Sequence, residues 1–369
     1  MVDLQTQYLR LKPEIDAAIG GVLSSSRYIG GPVVEDFARG LAAYLNVAHV
    51  IPCGNGTDAL QIALMALDLQ PGDEVITAPF TFVATAEVIA LLKLKPVFVD
   101  VDPDTFTLQP EQVEAAITER TRCIIPVHLF GQAAEMQALL DISRKHGIPI
   151  VEDNAQAIGA DYLFPDGSRR KLGTLGAIGC TSFFPSKNLG AYGDGGALFT
   201  QDDALAEKLR MLVNHGMKRR YYHDLIGVNS RLDAVQAAVL GAKLPHLDAF
   251  GESRRKAADY YDAGLAGLEK VQTPVRAPYS THVFHQYTLR VAEGRDALQA
   301  HLAKAQISSA VYYPVPLHLQ DAYRTFGYSE GDFPVTEQLS REVLSLPIHT
   351  ELRPEIQDYI IAHIKSFFA

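Results

Sequence analysis

Lys187 stands in the run Thr181-Ser182-Phe183-Phe184-Pro185-Ser186-Lys187-Asn188-Leu189-Gly190, just ahead of the turn Gly193-Asp194-Gly195-Gly196. An amine set among phenylalanines and a proline is partly desolvated, which lowers its pKa and favours carbonyl chemistry. The plainer reading is a surface charge with its stem on apolar neighbours. The glycines that follow argue against that, because they imply backbone packed close to something. Upstream, Pro149-Ile150-Val151-Glu152-Asp153-Asn154-Ala155-Gln156 reads as a buried strand ending in an acid. Alone, Asp153 would be read as capping a turn or a helix. A buried carboxylate, however, wants a cation. A lysine that forms a Schiff base and an aspartate that holds a pyridinium nitrogen are together how proteins bind pyridoxal 5'-phosphate (PLP). Gln156, three residues on, is then a candidate to orient the phenolic oxygen of the cofactor. Ser182 is a candidate phosphate donor.

Gly54-Asn55-Gly56-Thr57-Asp58-Ala59 follows a strand pattern and opens a helix pattern. Free backbone N–H groups and the helix dipole make such a place a phosphate site. The segment also fits the dinucleotide fingerprint, which needs an acid at the end of the next strand. That strand ends Thr77-Ala78-Pro79, without one. A plain tight turn is the remaining reading. Phe82, past the second strand, is placed to stack on an aromatic ring, or else to pack in the core. Lys218-Arg219-Arg220-Tyr221-Tyr222-His223 is a basic and aromatic cluster in an acidic chain. It reads as a solvated loop or as a contact for an anionic substrate. In Gly227-Val228-Asn229-Ser230-Arg231-Leu232-Asp233, either Asn229 or Ser230 is a candidate helix cap or ligand contact. Tyr312-Tyr313-Pro314-Val315-Pro316 is a stiff aromatic segment suited to border a pocket.

These residues must be positioned by the elements between them. Short Val/Ile-rich runs alternate with amphipathic ones: strands at 48–53, 74–77, 96–101, 123–127 and 149–152, and helices at 57–67, 84–92, 111–117 and 134–145. The pattern predicts an α/β fold with a mainly parallel sheet covered on both faces. Ligands bind beyond the carboxyl ends of such strands, so Gly54, Pro79, His128 and Asp153 share one rim. Past Gly196 the pattern predicts a strand at 197–200, a helix at 203–213 and a long helical region at 231–265 broken at Pro245. Strands at 285–291 and 310–313 and helices at 295–305 and 354–367 follow. We divide the chain into a large domain, 1–240, and a smaller C-terminal α/β domain, 241–369.

Composition bounds the rest. The 369 residues are 47% hydrophobic and 21% charged, the balance of a soluble globular protein. A net charge of -10 argues against broad affinity for nucleic acid or anionic membrane. Three separated cysteines indicate neither a metal site nor a disulfide framework, so a cytoplasmic setting is expected. The dispersed histidines show no metal spacing. No apolar run spans a bilayer, and the N-terminus has no signal-peptide pattern.

Taken in order, Asn55-Gly56-Thr57-Asp58-Ala59-Leu60, Thr81-Phe82-Val83-Ala84-Thr85, Glu152-Asp153-Asn154-Ala155-Gln156, Ser182-Phe183-Phe184-Pro185-Ser186-Lys187, Gly193-Asp194-Gly195-Gly196 and Asn229-Ser230-Arg231-Leu232-Asp233 resemble the PLP-dependent sugar aminotransferases of the DegT/DnrJ/EryC1/StrS family. Asn154 departs from the alanine usual there. The resemblance implies a fold type I aminotransferase homodimer with shared active sites. It implies Lys187 as the Schiff-base lysine, Asp153 as the pyridinium partner and Gln156 on the ring oxygen. Gly56, Thr57 and Ser182 would hold the phosphate, Phe82 would stack on the ring, and Asn229 would reach the phosphate of the other subunit's cofactor. L-Glutamate would convert PLP to pyridoxamine 5'-phosphate (PMP), and a nucleotide-linked keto sugar would take the amine. Cys180 to Lys187, Arg219 to His223 and Val228 to Asp233 further resemble UDP-2-acetamido-2-deoxy-3-oxo-D-glucuronate aminotransferases of O-antigen synthesis. That likeness places Arg231, Tyr312 and Tyr313 near the sugar nucleotide. A family member acting at C4 or on a dTDP sugar, or a non-catalytic PLP-binding regulatory protein, is the alternative.

Overall fold

The computed structural model describes residues 1–369. Seven strands form its central layer: β1 (His49–Cys53), β2 (Glu74–Thr77), β3 (Lys95–Phe98), β4 (Thr121–Ile124), β5 (Val151–Asp153), β6 (Ile178–Ser182) and β7 (Gly196–Thr200). Their order is β3-β2-β4-β5-β6-β7-β1, with bridges Ile124–Ile150 and Val127–Asp153 joining the two ladders. Pairing is parallel from β3 to β6, and only β7 runs antiparallel to its neighbours. The sheet is therefore mainly parallel, as the alternating pattern predicts.

Side chains of successive strand residues point to opposite faces, and each face has its own core. Val75, Cys123 and Val151 enter one, with the helices Gly56–Ala66 and Ala84–Leu91. Ile76, Ile124 and Ile150 enter the other, with the helix Met136–His146. Buried on both faces, these strands need the continuous apolar runs seen in the sequence.

The chain departs from the sequence-based reading in several places, among them β6 itself, the paired strands Asp161–Leu163 and Arg169–Lys171 and the helix Pro334–Glu342, none of which was expected. Two helices, Leu4–Ser25 and Pro32–Leu45, precede β1. The first buries only Leu11, Ile15 and Val22, a stripe too thin to stand out among polar residues. The expected strand at 310–313 reduces to one bridge, Ala310–Ser345. Val343–Leu346 forms a strand in its stead, buried along its whole length and so without alternation to read. Finally, the helical region at 231–265 begins later, as Ala234–Lys243, a 3-10 turn Leu244–His246 around Pro245, and Leu247–Leu265.

A further core, with residues from Ala257 to Ile364, packs around an antiparallel sheet of Val271–Gln272, Tyr287–Val291 and Val343–Leu346. This unit reaches the rim of the large sheet through 312–317, where the Leu317 N–H donates to the Pro79 carbonyl at 3.0 Å. No helix is long and apolar enough to cross a membrane.

Candidate active site

β1, β5 and β6 end on one rim, and antiparallel β7 begins there: Gly196 lies opposite both Cys53 and Ser182. Past that rim is a cavity of about 430 Å³. Nine of the eleven residues singled out by sequence line it: Gly56, Thr57, Phe82, Asp153, Gln156, Ser182, Lys187, Tyr312 and Tyr313. Asn229 and Arg231 do not; both are exposed on the single chain.

Asp153 is the last residue of β5 and is 5% exposed. The Thr85 hydroxyl donates to its Oδ2 at 2.8 Å, and the Ala155 N–H donates to Oδ1 at 3.1 Å. Burial pushes its carboxyl above the ordinary value, against the pull of Thr85, Ala155 and the nearby Lys187 charge. Strand alternation sends Glu152 to the opposite side. There it accepts from His128 Nε2 (2.9 Å) and from the N–H groups of Gly173, Leu175 and Gly176. His128 thus sits behind the rim as a partner of Glu152, rather than in the cavity.

Lys187 hangs on a tight loop. Its own N–H donates to the Phe184 carbonyl, and the Ala191 N–H returns to the Phe183 carbonyl, both at 2.8 Å. Gly190 is needed for this path, because a Cβ there would stand 2.2 Å from the Pro185 oxygen. Desolvation lowers the Lys187 pKa to about 8, although the Asp153 charge raises it. A larger share of the amine is therefore neutral at physiological pH than in an ordinary lysine.

The helix Gly56–Ala66 points its N-terminus into the same space. Asn55 caps it, accepting from the Asp58 N–H at 2.8 Å. The first-turn amides of Gly56 and Thr57 have no carbonyl inside the helix to bond. Gly56 is required by close approach: a Cβ would meet the Ser182 Cβ at 2.7 Å. Gln156 is held at both ends, accepting from the Phe130 N–H (2.8 Å) and donating to the Tyr313 hydroxyl (3.1 Å). Phe82 is 54% exposed, which excludes the core-packing reading, and its ring lies 6.5 Å from that of Tyr313.

Ser230 corrects the capping expectation. The helix there starts at Ala234, so neither Asn229 nor Ser230 caps it. The Ser230 hydroxyl instead accepts from the Gly54 N–H (2.8 Å) and donates to Asp58 (2.6 Å), tying the Asn229 segment to the helix N-terminus.

Sequence reasoning missed His285, which also lines the cavity. It is 5% exposed, and its Nδ1 has no partner. Burial, then the Lys187 and Arg254 charges, hold its pKa well below the ordinary value, so the imidazole is neutral. Arg254 donates to the carbonyls of Phe284 (3.0 Å) and Ile348 (3.1 Å) and so pins this segment. Nothing local marks His285, because most of its neighbours in the cavity are remote from it in the chain.

The residues present fit PLP. Asp153 is a buried carboxylate without a cation partner, the place a pyridinium nitrogen would fill. A desolvated amine stands in the same cavity, and an open helix N-terminus offers a phosphate cradle. No cluster of His, Cys, Asp and Glu is arranged to hold a metal.

The chain as a whole is similar to known proteins. The DegT/DnrJ/EryC1/StrS aminotransferase family profile matches residues 10–365. A protein of Geobacillus stearothermophilus named "Pleiotropic regulatory protein" is 51% identical, over 100% of this chain and 98% of its own. The UDP-2-acetamido-2-deoxy-3-oxo-D-glucuronate aminotransferase of Pseudomonas aeruginosa is 47% identical, over 95% of each chain. The crystal structure of DesV from Streptomyces venezuelae superposes with a TM-score of 0.95 at 44% identity, covering 100% of this chain and 97% of that one. Relatives have been solved with the cofactor as PLP and as PMP. The chain has the PLP-dependent aminotransferase fold, belongs to the DegT/DnrJ/EryC1/StrS aminotransferase family and is a PLP-dependent sugar aminotransferase.

Proposed function

We propose that the protein transfers the amino group of L-glutamate to the 3-keto group of a nucleotide-linked sugar, UDP-2-acetamido-2-deoxy-3-oxo-D-glucuronate. It would work in the cytoplasm as a homodimer with shared active sites, supplying an amino sugar for the O-antigen of lipopolysaccharide. The observation that carries the aminotransferase chemistry is one cavity holding a desolvated Lys187, a buried Asp153 and an open helix N-terminus. Support for the ring carbon comes from the relatives' names. Both the Pseudomonas aeruginosa enzyme and a Streptomyces venezuelae dTDP-3-amino-3,4,6-trideoxy-alpha-D-glucose transaminase, 47% and 45% identical, are named for position 3. The latter also favours a second reading, in which the nucleotide is dTDP. The Geobacillus relative's name keeps a regulatory role in view. Intact Lys187 and Asp153 count against a non-catalytic protein.

When bound, PLP supplies an electron sink that acidifies the proton on the carbon bearing nitrogen. The chain's residues do the rest. Lys187 Nζ takes that proton from one carbon and returns it to another. Asp153, kept in place by Thr85 and Ala155, holds the pyridine nitrogen protonated. Gln156, anchored on Phe130, reaches the ring oxygen. The Gly56 and Thr57 amides and the Ser182 hydroxyl grip phosphate, and Phe82 covers the ring. Asn229 serves the phosphate in the partner's site, and Arg231, Tyr312 and Tyr313 meet the sugar nucleotide.

The deciding experiment is amination of a panel of UDP- and dTDP-keto sugars, with products identified by mass spectrometry and NMR. We expect the UDP-3-oxo-glucuronate to react best. Preference for a dTDP sugar would move the assignment to the second reading. In the same panel, Arg231→Ala should slow the keto-uronate reaction ten- to a hundred-fold, since hydrogen bonds to charged groups contribute about 1.5–3 kcal/mol. The glutamate half-reaction should be less affected. Equal slowing of the carboxylate-free keto sugar would show that Arg231 does not read the uronate carboxylate.

Sharing of the site has its own test. Two inactive homodimers, Lys187→Ala and Asn229→Ala, are mixed and allowed to exchange subunits. Hybrid dimers should regain part of the activity. A fully active monomer at assay concentration would rule the shared site out.

A further inference from the structure

Lys243 is a buried ion that the chemistry above does not use. It ends the helix Ala234–Lys243 and is 1% exposed. Its Nζ donates to the Gly190 carbonyl at 2.7 Å and stands 4.2 Å from the centre of the Tyr192 ring. No carboxylate pairs with it, and desolvation alone lowers its pKa to about 8. An unpaired buried ammonium is costly. Methionine would fill the same volume without that cost, but it has no donor for the Gly190 carbonyl.

Gln236 lies seven residues earlier, two turns along the same stripe of the helix. Its Oε1 accepts from the Tyr192 N–H at 2.8 Å. Between these two grips, Ala237 and Leu240 pack in one core with Phe183, Leu189 and Ala191. The helix therefore holds the loop that carries Lys187 along its returning arm, at Gly190 and Tyr192. That arm has little freedom to compensate. The Ala191 N–H is bound to Phe183, and Gly190 passes against the Pro185 carbonyl.

We propose that Lys243 is a positioning residue for the transamination: with Gln236 it fixes the 190–192 arm of the loop and so sets where the Lys187 amine stands. The inference rests on Lys187 being the residue that joins the cofactor and moves the proton. Its effect should fall on the rate of the proton step rather than on substrate affinity, because Lys243 does not line the cavity.

The test uses holoenzyme and single-turnover kinetics of the glutamate half-reaction, with melting temperature measured in parallel. Lys243→Met should lose between about tenfold and a hundredfold in rate, the order of effect expected from a small misplacement of a reacting group. The KM for glutamate should stay within about twofold of wild type, as expected when only a transition-state interaction is lost. Lys243→Gln keeps a donor and should recover part of the rate. Val239→Ala is the control, since Val239 lies on the same helix but packs against Leu11, Ile15 and Phe250, away from the loop. It should lower the melting temperature while leaving the rate near wild type. A Lys243→Met enzyme with the wild-type rate, or one slowed no more than Val239→Ala at equal loss of stability, overturns the proposal. If Lys243→Met does not fold, Lys243→Gln and Gln236→Leu carry the test under the same criterion. A Lys187→Ala enzyme that still turns over would bring down the active-site assignment itself. A dead Lys187→Ala with an unaffected Lys243→Met would remove only the positioning role.

Discussion

Replacing Lys187 with alanine should abolish turnover with every keto sugar, by roughly ten-thousand-fold or more, the upper range for a lost proton-transfer group. The purified wild-type protein should be yellow and should bleach on addition of glutamate. Borohydride reduction followed by peptide mapping should leave the cofactor's mass on the peptide holding Lys187. Retained turnover in Lys187→Ala, or the mass on another lysine, would refute the assignment. The reaction of the stripped protein with PLP gives a second readout. The amine must be neutral to attack the aldehyde, and desolvation lowers its pKa to about 8. The capture rate should therefore rise with pH up to about 8 and then level off. An unperturbed lysine would keep gaining to about pH 10.4.

Asp153→Asn should be the next most damaging change. Breaking a buried ion pair costs about 3–5 kcal/mol, which corresponds to a loss of some hundred- to several-thousand-fold in the rate of proton removal. Stability should move the other way. Burial raises the Asp153 pKa in the cofactor-free protein. A carboxyl raised on folding contributes a penalty that grows as pH rises above its unfolded value, so at neutral pH the charge destabilises the cofactor-free fold. Asp153→Asn should therefore leave the melting temperature of stripped protein unchanged or higher, while activity collapses. A fall in both would mean that Asp153 is chiefly structural.

β6 (Ile178–Ser182) was not legible, since Gly179 and Ser182 break its apolar run, but the other strands from β1 to β7 were, because their apolar side chains are buried in short continuous or alternating runs. Burial of that kind writes itself into local hydrophobic pattern. The first helix, Leu4–Ser25, and the strand Val343–Leu346 were not legible. The first has three widely spaced buried residues, and the second has no exposed side chain to break its run.

The candidate site divides in the same way. Gly56 and Asp153 could be picked out by sequence because each sits at a strand end or in the turn just past one, and Ser182 and Lys187 because they stand on an apolar run followed by glycines. In a mainly parallel sheet those ends meet on one rim whatever the rest of the chain does. Partners drawn from distant segments have no such local rule. The Thr85 hydroxyl reaches Asp153, Tyr313 reaches Gln156, and His285 enters the cavity only because segments remote in the chain pack together. The same packing decided that Ser230 ties two loops rather than caps a helix, and that Lys243 grips the Gly190 carbonyl. Local pattern thus determined which groups are available for chemistry. Tertiary packing decided which of them are desolvated, which are neutral and what holds each in place, because those properties depend on neighbours remote in the chain.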